Sequence, residues 1–225
     1  MKDWRGARPP RHEVLEGDTV VLEPLDPARH GKDLFAATLG ADSTWHYLPY
    51  GPFAGQDEFR RWLDDRAALD DPLYFTIVDR AARAARGVAT LMSILPEQGV
   101  IEIGHIWFSP QLQRTPQATE AIFMMSRYAF DDLGNRRLEW KCDAANLQSR
   151  RAAERFGFTF EGIFRQHRVI KGRNRDTAWY SITDGEWPSR RTAFEAWLAP
   201  ANFDSAGGQR RSLAEIRDVV QRAVD

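Results

Sequence analysis

The sequence predicts an α+β fold: a central, mostly antiparallel mixed sheet of six to seven strands, flanked by helices and followed by a C-terminal helical extension. Three observations predict it. The chain has 225 residues of which 43% are apolar, enough to bury a substantial core. Strand-type and helix-type runs are interspersed, with three consecutive strands at residues 72–78, 87–95 and 100–108 forming a meander. Residues 101–121 (IEIGHIWFSPQLQRTPQATEA) pass from an apolar strand through a polar turn into a helix near Pro116. Such a turn is an anion site, because the first helical amides have no intrahelical partner and carry partial positive charge.

Taken in order, residues 1–16 are polar, contain Pro9-Pro10, and read as an irregular arm. Residues 19–25 (TVVLEPL) are rich in β-branched side chains and read as a strand. Asp26-Pro27 begins a helix, with Asp26 an N-cap residue, and Gly40 stops it. Residues 45–53 (WHYLPYGPF) are aromatic but carry two prolines, so they form a loop. That loop is either pinned to the core by its rings or forms one wall of a cleft; Trp45, Tyr47 and Tyr50 are its candidate substrate contacts. A helix follows over 56–69, then the three meander strands, then a helix from Pro116 to 133 ended by Gly134-Asn135. Met124-Met125 reads as core filling. Residues 137–142 form a strand, Asn146 opens a short helix, and strands at 158–169 and 176–183 flank a hairpin turn at 171–174. Trp187-Pro188 marks a boundary between a first unit, 1–188, and an extension, 189–225. In the extension a helix at 189–198, a flexible linker at 202–208 and an amphipathic helix at 209–224 are expected.

Composition narrows the function. Lys and Arg number 31 against 32 Asp and Glu, a balance that argues against binding nucleic acid through bulk charge. A single cysteine, Cys142, leaves no disulfide and no cysteine metal cage, and no metal motif appears. No run is long and apolar enough for a membrane span, and the N-terminus lacks an apolar leader, so a soluble cytoplasmic protein is expected. Eight tryptophans are many for this length, and some should line a cleft.

Two motifs carry a resemblance. One is Gln113-Arg114 leading through Pro116 and Gln117 into Ala118-Thr119-Glu120-Ala121. The other is Asn146-Leu-Gln-Ser149-Arg-Arg-Ala-Ala-Glu-Arg-Phe156-Gly157-Phe158, followed by Glu161-Gly162. With the element order, these resemble the GNAT superfamily of acyl-CoA N-acyltransferases, and within it the RimJ/RimL-like branch of ribosomal-protein N-terminal acetyltransferases. The resemblance covers roughly residues 18–188 and implies a GNAT fold and use of acetyl-CoA as co-substrate. It implies coenzyme contacts at Phe108, Gln113, Arg114, Gln117, Ala118, Thr119, Asn146 and Ser149. This sequence departs from the pattern where Pro116 replaces a glycine, which removes one phosphate donor. Arg114 supplies charge in its place. Asn146 is also simply an N-cap residue.

The implied reaction is direct transfer of an acetyl group to a primary amine. In several family members a glutamate eleven residues before the first turn residue acts as general base; Glu102 holds that offset from Gln113. A salt-bridged carboxylate is the competing reading. Alternation puts Glu102 on one strand face with Gly104, Ile106 and Phe108. His105, the rival base and a candidate substrate contact, falls on the other face with Ile101, Ile103 and Trp107. Backbone N–H groups near Phe108 would receive the oxyanion. The tyrosine that many relatives use for the leaving thiolate is missing from residues 146–156, and Ser149 is the substitute. The acceptor is either a protein N-terminal α-amine or a small amine such as an amino sugar, polyamine or amino acid, and a homodimer is compatible with the family. A non-catalytic acyl-CoA-binding module is the rival class.

Overall fold

The structure is a computed structural model that describes residues 4–223. Strands are β1 (Leu15–Glu16), β2 (Val20–Pro24), β3 (Leu73–Asp79), β4 (Ala84–Leu95), β5 (Val100–Phe108), β6 (Arg137–Asp143), β7 (Thr159–Ile170) and β8 (Arg173–Thr183). Helices are α1 (Pro27–Thr38), α2 (Gln56–Ala67), α3 (Pro116–Arg127), α4 (Leu147–Arg155), α5 (Trp187–Leu198) and α6 (Leu213–Arg222). Several boundaries follow from local chemistry. Asp26 caps α1 by accepting from the Ala28 and Arg29 amides, and Pro27 occupies the first turn. The β7–β8 turn needs only Lys171 and Gly172, both at positive φ, so the two strands run longer than the sequence predicts. The helix expected to reach residue 133 changes at Tyr128–Asp132 to a single π turn.

The eight strands form one sheet in the order β1-β2-β3-β4-β5-β6-β8-β7. Every neighbouring pair is antiparallel except β5 and β6. That parallel pair is short. It joins Val100 to Arg137, Ile101 to Leu138 and Glu102 to Glu139, and then stops. Residues 103–108 of β5 continue along β4, while residues 140–143 of β6 continue along β8. The sheet therefore opens a gap beyond Glu102 and Glu139.

Helices α3, α4 and α5 cover one face, over a core that runs from Leu22 and Phe75 through Ile101 and Ile122 to Trp140, Ala178 and Phe194. Helices α1 and α2 cover the other face only over the first strands, on a smaller core around Leu34, Trp62 and Tyr74. Met124 and Met125 are buried in the larger core, as expected. Glu120 explains the acidic position of the Ala-Thr-Glu-Ala run. Its buried carboxylate accepts from the amides of Asp18 (2.6 Å), Thr19 (2.9 Å) and Val20 (3.1 Å), and from the Thr19 hydroxyl. It ties the entry of β2 to the first turns of α3.

The C-terminal segment corrects an expectation. Residues 202–208 are not a free linker. Asn202 is buried, donates to the Trp197 and Arg211 carbonyls and accepts from the Arg211 amide; Asp204 closes a turn on Ala206 and Gly208. Leu213 and Ile216 of α6 join the main core beside Trp197. Arg217 donates to the Glu154 and Arg155 carbonyls at the end of α4. No described helix is long and apolar enough to cross a membrane.

Removing the Glu120 carboxylate takes the acceptor from the amides of Asp18, Thr19 and the buried Val20. Glu120→Ala is expected to lower the unfolding free energy by about 3 kcal/mol, read from urea denaturation at pH 7. A loss under about 0.5 kcal/mol would show that the β2 entry does not depend on it.

Candidate active site

The gap between β5 and β6 gathers the chemistry. On the α3 side, β5 ends at Phe108, and Gln113 folds back to donate from Nε2 to the Phe108 carbonyl (2.8 Å). Arg114 turns the chain at φ +62, Thr115 caps α3 by accepting from the Ala118 amide (3.2 Å), and Pro116 takes the first helical position. Among the described residues, the amides of Arg114, Thr115 and Gln117 have no hydrogen-bond acceptor. They form a compact set of donors at the positive end of α3, despite the amide that Pro116 lacks. This fits an anionic pyrophosphate. Ala118 and Thr119 turn inward; the Thr119 hydroxyl accepts from Arg155 of α4 (3.0 Å), so its side chain holds two helices together.

Helix α4 starts on the same side. Asn146 caps it by accepting from the Ser149 amide (3.1 Å). Ser149 Oγ accepts from Trp140 Nε1 (3.0 Å) and lies beside Cys142. Burial pushes the Cys142 thiol up, which suits a buried structural thiol on β6.

The opposite side holds the titratable groups, and here strict alternation fails. β5 carries a bulge: Val88 faces Trp107 and Thr90 faces Gly104, so β5 uses one residue more than β4. His105 sits in that step at φ +47. Beyond it the pleat is reversed. Ile106 and Phe108 pack with Ile101 and Ile103 on the larger core, and Trp107 packs on the smaller one. His105 therefore shares a sheet side with Glu102, contrary to the sequence expectation.

Glu102 is almost fully buried and committed. Lys141 Nζ is 2.8 Å from it and 2.7 Å from Glu139, the residue facing Glu102 in the parallel ladder, and Ser93 Oγ donates to Glu102 (3.1 Å). The lysine relieves the repulsion of two carboxylates in register. Its ammonium also lies 4.2 Å from the Trp179 ring centroid.

His105 is held differently. Its Nδ1 is 2.9 Å from the Tyr50 hydroxyl, which is 3.4 Å from that of Tyr74, and the Tyr50 and His105 rings stack. Burial lowers the His105 pKa to about 4, helped by the charges of Arg66, Arg175 and Arg168. The imidazole is neutral at pH 7. Burial also raises the pKa of Tyr50 and Tyr74.

The aromatic loop divides its rings between two jobs. Trp45 is 1% exposed and stacks on Trp107 at 4.7 Å, so it anchors the loop instead of lining a cleft. Gly51, at φ +59, presses against that ring; a Cβ there would lie 2.8 Å from it. Tyr47 and Tyr50 remain near the opening. Tyr47 donates to the Ala145 carbonyl across the gap (3.2 Å), and Lys171 at the hairpin tip donates to the Trp45 and Gly51 carbonyls. Loop and hairpin thus roof the opening over a cavity of about 190 Å³ that includes His46, Tyr47, Asp143, Ala145, Arg173 and Arg175. Sequence reasoning missed Lys141, Tyr74 and the arginines. Arg168 and Arg175 were within reach of it, because the two-residue turn at 171–172 makes them direct cross-strand partners.

A sheet that parts beside a helix start, with a donor set on one side and a roofed cavity on the other, defines a class of acyl-transfer enzyme. The pattern described as the acetyltransferase (GNAT) domain matches residues 19–159, and the chain belongs to that family of acyltransferases. A GCN5-related N-acetyltransferase from Brucella melitensis is 51% identical and superposes with a TM-score of 0.95, over 97% of this chain and 100% of its own. A candidate GNAT acetyltransferase from Chromobacterium violaceum is 45% identical with a TM-score of 0.79, over 84% of this chain and 94% of its own. YdaF of Bacillus subtilis (strain 168), named as a candidate ribosomal N-acetyltransferase, is 30% identical over 90 residues. Those residues are 40% of this chain and 49% of YdaF, so the chain matches about half the length of that relative.

The His105 environment makes a prediction about stability. Its folded pKa lies below the ordinary 6.5, so the unfolded chain binds more protons between pH 6.5 and 4. Stability should fall as pH falls through that window. His105→Gln is expected to lose about 2–3 kcal/mol less than the parent between pH 7 and pH 4.5, measured by urea denaturation at both values. Equal losses would place a charged imidazole in the folded protein.

Proposed function

We propose that this acyltransferase moves the acetyl group of acetyl-CoA directly onto a primary amine. The observation that carries the reading is the β5–β6 gap, with free amides at the α3 start on one side and the neutral His105 on the other. In this reading the pyrophosphate lies on the Arg114, Thr115 and Gln117 amides, with the Arg114 guanidinium adding charge. The pantetheine arm runs through the gap past Asn146, whose side chain caps α4. Unpaired backbone of β5 near Phe108 receives the carbonyl oxygen. Ser149 gives a hydrogen bond to the departing thiolate.

The amine must be neutral to attack. The arginines around His105 disfavour an ammonium ion there, and His105 is the neutral group placed to take the proton. Glu102 sets the charge balance beside it, with its oxygens already engaged by Lys141 and Ser93. The roofed cavity favours a small amine or a single terminal residue over an extended peptide. The likeness to YdaF, a candidate ribosomal N-acetyltransferase, supports a protein amine, for which we take the N-terminal α-amine.

A thiol-release assay with acetyl-CoA and a panel of amines and peptides tests the reaction. Retained coenzyme binding without turnover on any acceptor would make the chain a binding module. Ser149→Ala is expected to lower kcat about 10- to 100-fold with little change in coenzyme affinity. Arg114→Ala should weaken coenzyme binding about tenfold, read by titration. His105→Ala should cost about 100-fold in kcat, more than Glu102→Gln. The reverse order would move the base to Glu102.

A further inference from the structure

Three guanidinium groups on the acceptor side have nothing to bind. Arg66 ends α2, Arg168 lies on β7 and Arg175 on β8. Arg168 and Arg175 face each other directly in the antiparallel ladder. Like charges in that position repel. Arg66 has its guanidinium carbon 5.9 Å from the centroid of Tyr50, the ring whose hydroxyl meets His105. Among the described residues, none of the three guanidinium groups makes a hydrogen bond or an ion pair, and the Nε atoms of Arg66 and Arg175 are buried. Burial lowers the pKa of Arg175; Asp143 offsets part of that and Arg168 adds to it. Neither Asp143 nor Glu102 pairs with the Arg175 guanidinium directly: Asp143 accepts from the Ala145 amide, and Glu102 is bound to Lys141. On the same face of β8 as Arg175, the Trp179 indole N–H is a further buried donor without an acceptor.

Arg168 is exposed to water, but the buried Nε atoms of Arg66 and Arg175 and the Trp179 N–H carry the cost of donors without acceptors. We infer that Arg66, Arg168 and Arg175 receive an oxyanion, a carboxylate or phosphate carried by the acceptor amine. Arginine suits either, since its planar fork pairs with two oxygens at once. The cluster selects amines that bear a negative group and rejects polyamines, whose extra ammonium ions would add to the repulsion. The anion also holds the acceptor's far end, which places its amine toward His105. This inference rests on the acceptor side assigned under the proposed function, but binding of the anion does not require turnover.

The test separates the two. Protein saturated with CoA, so that coenzyme phosphate sites are filled, is titrated calorimetrically with succinate and with inorganic phosphate. Arg168→Gln, Arg175→Gln and the double variant are compared with the parent. The double variant is expected to lose at least tenfold in anion affinity with unchanged affinity for CoA. It should also melt no lower than the parent in anion-free buffer, because the like-charge pair is gone, and gain nothing from added phosphate. Unchanged anion affinity overturns the inference. So does a parallel loss of CoA affinity, which would assign the arginines to the coenzyme. In the acetylation assay, a free amino acid is set against its amide, and an acidic peptide against a neutral one. At least a tenfold preference in kcat/KM for the charged member of one pair, lost in the double variant, identifies the source of the anion. Equal rates within both pairs overturn the inference while leaving acetyl transfer intact. Anion binding without acetylation of any amine would do the reverse.

Discussion

Two adjacent parallel strands that pair for only three residues govern this molecule. β5 and β6 part after Glu102 and Glu139 because each has a stronger partner on its outer side, β4 and β8. A sheet interior normally satisfies its backbone groups along the whole ladder. Here the inner edges of two central strands are left facing each other across a space. Every feature of the site is arranged about that space: the α3 start, the α4 start, the aromatic loop and the hairpin tip. The parting also explains the charged ladder at its base. Glu102 and Glu139 stand in register at the last paired step, and Lys141 bridges them where water would otherwise enter the opening.

Much of the fold was legible in the sequence, for identifiable reasons. The Asp26-Pro27 cap, the meander, the helix at Pro116 and the cap at Asn146 each depend on residues that are neighbours in the chain. The strand faces of β5 were legible only up to Gly104. Gly104, isolated inside the strand, is the one local sign of the bulge at His105. Which residue is left unpaired is set by the register of β5 on β4, which is a property of the pair. The supposed linker failed for a similar reason. Its glycines and serine read as loose chain, but Asn202 and Asp204 spend their side chains on nearby backbone. Of the candidate site, the α3 turn and the cap at Asn146 form where the sequence places them. Tyr47, Tyr50 and His105 were named from the sequence, but their grouping with Lys141, Tyr74 and the arginines was not legible, because those come from α2, β3, β6 and the hairpin, far apart in sequence.

The electrostatics on the two faces of the gap are opposite in design. On the α3 side, positive potential comes from backbone amides and the Arg114 side chain, an arrangement that suits an anionic ligand. On the other side, it comes from side chains on a hairpin and a helix end, elements whose sequence can vary without disturbing the sheet. Neutral His105 sits between a committed carboxylate and uncommitted guanidinium groups. Its proton affinity therefore depends on the charge around it, since an anion beside those guanidinium groups would raise it.

The contact of Arg217 with the carbonyl end of α4 has a consequence for how the site is assembled. The two partners are 62 and 63 residues apart. During synthesis, α4 and its Ser149 emerge well before the helix that closes their far end. Until α6 docks, α4 has free carbonyls and a shorter lifetime as a nine-residue helix. Ser149 thus gains a fixed position late, after the sheet beneath it has formed. A nascent chain would hold the α3 turn before it held a fixed α4.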